Sequence, residues 1–287
     1  MNLPKVSVLI PCYNHEKYIA QCLDGVRASY SGEIEVIICD DKSKDHSVKI
    51  IDNYINIHNN SHISFIFIKN HVNMGVTKTL NICAGYATSE YIYVIASDDY
   101  LLEGGLTQAM KLLLKARADA VISDCIVVDG NNAVICQSAF FEYRNASIKR
   151  LKKNIAEELV FNWVVPGPAL LQKKSTYVEL SGYNETLRAE DRDYFLRLLA
   201  DKKVIFNKRC IAGYRVHLHN ASRSGDYLKV ANAEFNKVNY SASVLYNGLA
   251  RIYLKTYWLD LKKYPVFITS KIRKIIKMLY ILRGLYG

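Results

Sequence analysis

The stretch Tyr91–Tyr100, YIYVIASDDY, joins an apolar run to a pair of adjacent carboxylates. Its apolar and aromatic residues from Tyr91 to Ile95 predict a buried strand, which ends shortly before Asp98 and Asp99. Adjacent carboxylates repel one another, so both stay ionised only where a cation or hydrogen-bond donors compensate. In open α/β sheets, ligands bind at the carboxyl ends of the strands. A solvated turn is the alternative, but a divalent cation carrying the phosphates of a nucleotide would account for both features.

Strand and helix patterns alternate from the N-terminus to this stretch. Short β-branched runs predict strands at 6–10, 35–39 and 63–68, and apolar residues at helical spacing predict a helix after each one. This alternation predicts a doubly wound, mostly parallel α/β sheet. The turn after the first strand reads PCYN instead of G-x-G-x-x-G, so we expect no glycine-rich phosphate cradle.

The composition describes a folded chain whose basic charge is concentrated at one end. The chain has 287 residues, of which 50% are hydrophobic, enough for one large domain or two modest ones. Its 7 cysteines show no metal-ligand spacing, which favours reduced thiols in the cytosol. The residues from Ala250 onward carry nine Lys or Arg and one Asp, or +8 of the net +11, so the rest carries only +3. A nearly neutral body argues against nucleic-acid binding.

The C-terminal segment combines this basic charge with an apolar helical stripe. Such a helix either lies in a membrane interface or docks on the protein's own core, and the basic concentration favours an anionic membrane. We find neither an N-terminal secretory pattern nor a stretch of about 18 uncharged residues. We therefore expect a cytoplasmic protein that is peripheral on the inner face of the cell membrane. The stripe comprises Ile268, Ile272, Ile275, Ile276, Leu279 and Leu282.

Four segments resemble the nucleotide-binding half of family 2 glycosyltransferases, which are inverting enzymes with the GT-A fold. In chain order they are VSVLIPCYNHEKYI, VIICDDKSKD, NMGVTKTLN and YVIASDDY. The resemblance implies a GT-A catalytic domain over 1–225, in which 1–100 bind a UDP-sugar and 101–225 hold the acceptor and the catalytic base. A helical, basic, membrane-associating region over 226–287 would follow.

The first three segments supply the implied contacts to the nucleotide. By resemblance, Pro11 and Tyr13 would line the uracil. Asp41, the second acid of its segment, would read the base. Asn73 and Gly75 would lie near the diphosphate.

The acidic pair supplies the implied ribose and metal contacts. Asp98 would contact the ribose, and Asp99 would bind Mn²⁺ or Mg²⁺. Ala96 stands where the longer D-x-D-D form of this motif has its first Asp. His217, in the segment YRVH, would complete the metal shell, with His219 as the alternative.

The pair Glu190 and Asp191 resembles the E-D motif whose second acid is the general base. Acids at the start of a helix are otherwise caps that complement the helix dipole. The resemblance makes Asp191 the group that takes the proton of the acceptor hydroxyl, and Glu190 the group that orients the acceptor or a loop. Asp193, two residues on, is the alternative base.

The resemblance implies a metal-dependent hexosyltransferase. It would move glucose or galactose from a UDP-sugar to an undecaprenyl-diphosphate-linked sugar, forming a β-glycosidic bond in the assembly of O-antigen, lipopolysaccharide or another bacterial surface polysaccharide. Two alternatives are open. A sugar nucleotidyltransferase would need an early glycine-rich, arginine-bearing loop that this chain lacks. A non-catalytic membrane- or RNA-binding protein on a degenerate fold would have damaged motifs, whereas the acids are present here.

Overall fold

Parallel strands organise the first hundred residues. The computed structural model describes residues 3–60, 62–188, 190–217 and 225–286. Within them, β1 pairs in parallel with β2 and β4, and β2 in parallel with β3. Nearly every side chain of β1 and β2 is buried, as expected for strands that are covered on both faces. These strands are β1 (Val6–Cys12), β2 (Ile34–Asp40), β3 (Ile63–Lys69) and β4 (Tyr91–Val94).

A helix follows each of the first three strands, as the periodicity predicts. They are α1 (Ile19–Ser29), α2 (Ser47–His58) and α3 (Val76–Tyr86). α1 buries the side chains at its apolar spacing against the sheet because positions three and four residues apart share one helix face. The predicted doubly wound α/β architecture is confirmed.

The later elements continue the sheet and add helices. In chain order they are β5 (Tyr100–Leu101), α4 (Gly105–Ala116), β6 (Ala120–Asp129), β7 (Val134–Cys136), a π-helical turn (Ala139–Tyr143), α5 (Ile148–Lys153), α6 (Ile155–Phe161), a 3₁₀ turn (Gly167–Ala169), β8 (Leu170–Lys173), α7 (Lys174–Glu179), α8 (Glu190–Asp201), β9 (Val204–Val216), α9 (Gly225–Ala242), a 3₁₀ turn (Ser243–Leu245), α10 (Gly248–Lys255), α11 (Tyr257–Leu261) and α12 (Val266–Tyr286).

The sheet runs in the order β3-β2-β1-β4-β8-β6-β9-β5, and β7 pairs with β6. β8 is antiparallel to both of its neighbours, whereas β6 and β9 are parallel. The short β5 is antiparallel to β9, with Tyr100 opposite Gly213. A Cβ at residue 213 would lie 2.4 Å from the Tyr100 ring, so only glycine allows this close pairing.

The chain separates into two compact units. The first, which we call the sheet unit, comprises 1–146, 164–182 and 203–217. It contains all the strands of the described residues. The second, the helical unit, comprises 147–163, 183–202 and 218–287. The sequence prediction placed a boundary near 225, whereas the structure groups 147–163 and 183–202 with the C-terminal helices.

The helical unit is built around its own apolar core. α6, α8, α9, α10, α11 and α12 contribute buried residues to it. The rings of Phe161 and Tyr280 stack there with their centroids 4.3 Å apart. None of the helices in the described part of the chain is long and apolar enough to cross a bilayer.

α12 carries apolar residues on two faces. Ile276 and Tyr280 are buried in the core of the helical unit. Ile275 and Leu279 are exposed by 55% and 46%, because one residue along a helix turns the side chain by about 100°. The predicted stripe is therefore divided between the core and the surface. The exposed apolar residues on α12 include Phe267, Ile268, Ile275, Met278, Leu279 and Leu282.

Candidate active site

The carboxyl ends of three neighbouring strands meet at one edge of the sheet unit. β1 lies between β2 and β4, and the first residue after β2 and the first residue after β4 each donate a main-chain hydrogen bond to β1. The Asp41 N–H donates to the Cys12 carbonyl at 2.8 Å, and the Ile95 N–H donates to the Leu9 carbonyl at 3.1 Å. This topology brings the segments after each strand to the edge where α/β proteins bind ligands.

Asp41 organises the loop after β3. Its buried carboxylate accepts the main-chain N–H groups of Met74 at 2.7 Å and Gly75 at 2.8 Å, and the side-chain amide of Asn70 at 2.9 Å. These donors compensate the desolvation of the charge. Gly75 has φ +85°, a conformation that favours glycine. The structure thus joins Asp41 to the loop that the sequence assigned to the diphosphate; its contact with the base stays a prediction.

Three other residues assigned to the nucleotide lie at the same edge. Pro11 is partly buried in β1, and Tyr13 just beyond it is 40% exposed. Asn73 donates its side-chain amide to the Asp41 carbonyl at 3.1 Å. Asn14 binds the loop after β2, because its side-chain oxygen accepts the Lys44 N–H at 2.7 Å. An exposed ring on a fixed turn offers a surface on which a planar base can stack.

Asp98 lies against two histidines. His217 Nε2 is 3.0 Å from Asp98 Oδ2, and His15 Nε2 is 3.9 Å from the same oxygen. One donor atom from each of the three residues lies within 4.8 Å of the others, a grouping that could hold a metal ion. Burial favours the neutral acid, but the His217 hydrogen bond and the His15 charge outweigh it and lower the pKa of Asp98. The sequence did not single out His15.

Asp99 occupies a different environment. It is buried, and its Oδ1 accepts the Arg215 N–H at 2.7 Å. Burial, and next the charge of Asp98, raise the pKa of Asp99 well above its usual value, which Arg215 only partly opposes. A Cβ on Gly167 would lie 3.4 Å from Asp99 Oδ2. The structure therefore groups Asp98 with the histidines, and the assignment of the metal to Asp99 stays a prediction.

Arg215 connects the acidic loop to β9. Its buried guanidinium donates to the Asp98 carbonyl at 2.6 Å, to the Asp129 carbonyl at 3.1 Å and to the Gln21 side chain at 2.8 Å. It also lies 4.6 Å from the centre of the Tyr18 ring. Arginine suits this position because its planar donors bind several acceptors at once. Arg215 thereby joins the acidic loop to the end of β6 and to α1, at a position two residues before His217.

The predicted catalytic acids lie at the start of α8, in the helical unit. Glu190 is buried, and burial followed by repulsion from Asp191 raises its pKa well above the usual value. Its Oε2 has no hydrogen-bond partner within the part of the chain that the structure describes. Asp191 is exposed, yet desolvation by the surrounding protein raises its pKa to about 6. Asp193 is ion-paired with Arg197 at 2.6 Å.

Arg192 anchors the start of α8. Its buried guanidinium donates to the Leu159 carbonyl at 2.8 Å, the Val160 carbonyl at 3.1 Å and the Asn239 side chain at 2.7 Å. These contacts hold α8 against α6 and α9 and so orient the neighbouring Asp191. The alternative ligand His219 lies outside the described residues.

Comparison with known proteins identifies the family. The sequence model of Glycosyl transferase family 2 matches residues 7–176, well over half of the chain. Glycosyltransferase GlyG of Streptococcus pneumoniae serotype 4 is 27% identical over 210 residues, which cover 70% of this chain and 68% of that protein.

Two solved structures have similar folds. Residues 1–349 of S. aureus TarS, in complex with UDP-GlcNAc, match with a TM-score of 0.66 and 19% identity over 89% of this chain and 71% of that one. The mannosyltransferase PcManGT from Pyrobaculum calidifontis, in complex with GDP-Man and Mn²⁺, matches with a TM-score of 0.58 and 15% identity over 100% of this chain and 88% of that one. Together, the strand-end acids, the GT-A architecture and the match over residues 7–176 show that this chain belongs to glycosyltransferase family 2.

Proposed function

We propose that this protein is a metal-dependent, inverting hexosyltransferase that uses a UDP-sugar, with glucose and galactose as the leading donors. The observation that carries the proposal is the strand-end site, where the buried Asp41 lies at the same edge as the Asp98–His217 pair. Further support comes from the similar folds of a protein that binds UDP-GlcNAc and of one that binds GDP-Man with Mn²⁺.

Different residues serve the proton transfer and the departure of the diphosphate. The hydroxyl oxygen of the acceptor attacks the anomeric carbon, the bond from that carbon to the diphosphate breaks, and the hydroxyl proton passes to the Asp191 carboxylate. With a pKa of about 6, this carboxylate is mostly ionised at neutral pH and basic enough to accept a proton. A divalent cation held by Asp98 and His217, or by Asp99 and His217 as the sequence predicts, would neutralise the leaving diphosphate. Attack opposite the leaving group turns an α-linked donor into a β-glycosidic product.

The acceptor proposal rests on the C-terminal helices. We propose an undecaprenyl-diphosphate-linked sugar as acceptor, in O-antigen, lipopolysaccharide or a similar surface polysaccharide, at the cytoplasmic face of the membrane. α12 exposes apolar side chains on a face next to its packed face, and Lys271 and Lys274 beside them are exposed. Trp258 and Tyr264 are also exposed, and such rings suit the boundary between lipid and water. An anionic membrane surface would bind both the charge and the apolar side chains.

A donor panel on matched variants tests the reaction. Transfer from UDP- and GDP-sugars to a lipid-diphosphate-linked sugar is measured with and without Mn²⁺, for wild type, Asp191→Asn and Asp193→Asn. We expect UDP-hexose to be used, Mn²⁺ to be required, and Asp191→Asn to slow transfer about 10²- to 10⁴-fold.

Asp193→Asn is the control, because this acid on the same helix is already ion-paired with Arg197. Its transfer rate should stay close to that of wild type. Full transfer by Asp191→Asn, or full transfer in a chelator, would contradict the proposed mechanism.

A further inference from the structure

The cluster that could hold a metal ion consists of His15, Asp98 and His217, and the proposed function gives a role only to the last two. His15 lies between β1 and α1, where the first segment reads CYNHEKYI. Its Nε2 faces the same carboxylate oxygen of Asp98 that binds His217 Nε2. Two imidazoles and one carboxylate therefore converge on one point of the sheet unit.

We propose that His15 is a third protein ligand of the divalent cation, and that the resulting two-histidine, one-carboxylate site selects Mn²⁺ over Mg²⁺. This inference rests on the proposed metal-dependent function. It adds a ligand and a choice of metal that the family resemblance does not supply.

The distances fit a single ion. Ligand atoms about 2.1 Å from a six-coordinate ion lie roughly 3.0 Å apart when adjacent and about 4.2 Å apart when opposite. The two contacts to Asp98 Oδ2, at 3.0 Å from His217 and 3.9 Å from His15, fall within these bounds. The whole set of donor atoms lies within 4.8 Å. Because this outer limit exceeds the opposite-ligand distance of about 4.2 Å by about 0.6 Å, the side chains must move closer by at most roughly that difference to share one ion.

A second hydrogen bond orients the His15 ring. Its Nδ1 lies 2.7 Å from Ser97 Oγ, and Ser97 is completely buried. When Nδ1 carries the proton and donates it to Ser97, the lone pair of Nε2 is left free for a metal. Histidines that ligate metals generally donate their other ring N–H to such a partner, which sets both tautomer and orientation.

The opposite ring is held in place as well. The imidazole of His217 stacks on Tyr18, with the ring centroids 5.1 Å apart and the planes inclined by 30°. The guanidinium of Arg215 lies against Tyr18 in turn. Both imidazoles are thus restrained by neighbours that are not ligands, as in metal sites that are organised before the ion arrives.

The donor set decides the choice of metal. Imidazole nitrogen suits transition metals, whereas Mg²⁺ prefers oxygen ligands and water. A site with one carboxylate and one imidazole, as in the sequence prediction of Asp99 with His217, would discriminate weakly between Mn²⁺ and Mg²⁺. A second imidazole shifts the preference toward Mn²⁺ and other first-row ions.

Binding of Mn²⁺ alone, followed by its electron paramagnetic resonance in the presence of UDP, tests the inference without measuring turnover. His15→Asn is the informative variant, because the Asn amide can replace Nδ1 at Ser97 and carries nothing in place of Nε2. Loss of an outer partner of a ligand already costs about 10- to 100-fold in metal affinity. We expect His15→Asn to weaken Mn²⁺ binding at least that much and to narrow the preference for Mn²⁺ over Mg²⁺.

His62→Asn is the matched control, because this histidine is exposed immediately before β3 and its variant should bind Mn²⁺ like wild type. Spin-echo spectra of the bound ion should show nitrogen coupling that decreases in His15→Asn and in His217→Asn alike.

The outcomes separate the two proposals. If His217→Asn loses Mn²⁺ while His15→Asn retains full affinity, or weakens only metal-free UDP binding, His15 is not a ligand and the metal-dependent function stands. If wild type binds no Mn²⁺ with UDP yet transfers sugar in a chelator, the metal dependence itself fails.

Discussion

At the scale of residues, the most informative contrast is between Asp98 and Asp99. These neighbours differ in the direction of their pKa shifts, because Asp98 faces two imidazoles and Asp99 is buried beside the charge of Asp98. The sequence assigned the ribose to the first and the metal to the second. In the structure, Asp98 instead lies beside two imidazole nitrogens that could bind the same cation. Asp99 accepts a hydrogen bond from the main-chain N–H of Arg215.

The pH dependence of transfer should reveal the state of Asp191. A base acts when it is deprotonated, and desolvation raises the pKa of this carboxyl to about 6, so the proton is retained to a higher pH than on an ordinary aspartate. We expect kcat/KM at saturating metal to be level above about pH 7 and to fall below about pH 6, approaching tenfold per unit. Initial rates across this range measure it.

The matched variant for this profile is again Asp193→Asn, which should reproduce the wild-type curve. A wild-type rate that stays constant down to about pH 4.5, near the ordinary range of aspartate, would show that a group other than a desolvated Asp191 takes the proton.

At the scale of elements, two contacts hold the site residues in place. Antiparallel pairing of β5 with β9 brings the loop after β4 next to Arg215 and His217. In the helical unit, Arg192 holds α8 against α6 and α9. Both contacts join segments that are distant in the chain, and in both cases a buried arginine binds main-chain carbonyls.

α12 supplies a prediction about the membrane. Ile275→Ser combined with Leu279→Ser removes two apolar side chains from the exposed face and leaves the packed face intact. Burial of one such side chain is worth about 1.5–3 kcal/mol, so we expect binding to phosphatidylglycerol vesicles to weaken by at least roughly tenfold. Vesicle flotation of the full chain measures the change.

Val244→Ser is the control for this experiment, because Val244 is 72% exposed in the same unit but outside α12. Equal flotation of the double variant and wild type would contradict the membrane proposal. If wild type bound neutral phosphatidylcholine vesicles as strongly as phosphatidylglycerol vesicles, the role assigned to the lysines would be contradicted.

At the scale of the whole molecule, the residues proposed for nucleotide binding and those proposed for proton transfer belong to different units. The nucleotide residues and the histidine cluster belong to the sheet unit, and Glu190 with Asp191 to the helical unit. Binding and proton transfer should therefore respond to different substitutions.

Thermal unfolding of the full chain with UDP and Mn²⁺ tests this division. A ligand present at about 100 times its dissociation constant stabilises the folded state by about 2.7 kcal/mol. We expect the ligands to raise the Tm of wild type and of Asp191→Asn equally, because Asp191 moves a proton and does not bind the nucleotide. The increase should be absent in Asp98→Asn. An undiminished increase in Asp98→Asn would remove Asp98 from the binding site.

The sequence by itself determined the first four strands, the three helices between them and the family. Hydrophobic periodicity is a local property, so the strands before Tyr100 and the buried face of α1 could be predicted from their own residues. The strand-end motifs likewise identified Asp41, Asp98 and His217 as candidates. The sequence left open whether the apolar stripe of α12 packs against the protein or faces solvent, because both arrangements need apolar residues on one helix face.

Only the tertiary structure decided which of these candidates meet. Ser97 lies 82 residues from His15, and His217 lies 119 residues from Asp98, yet each pair is in contact. The order of strands in the sheet and the pairing of β5 with β9 bring them together, and no local pattern carries that information. For the same reason only the structure divided α12 into a packed and an exposed face, since packing depends on neighbours from other parts of the chain.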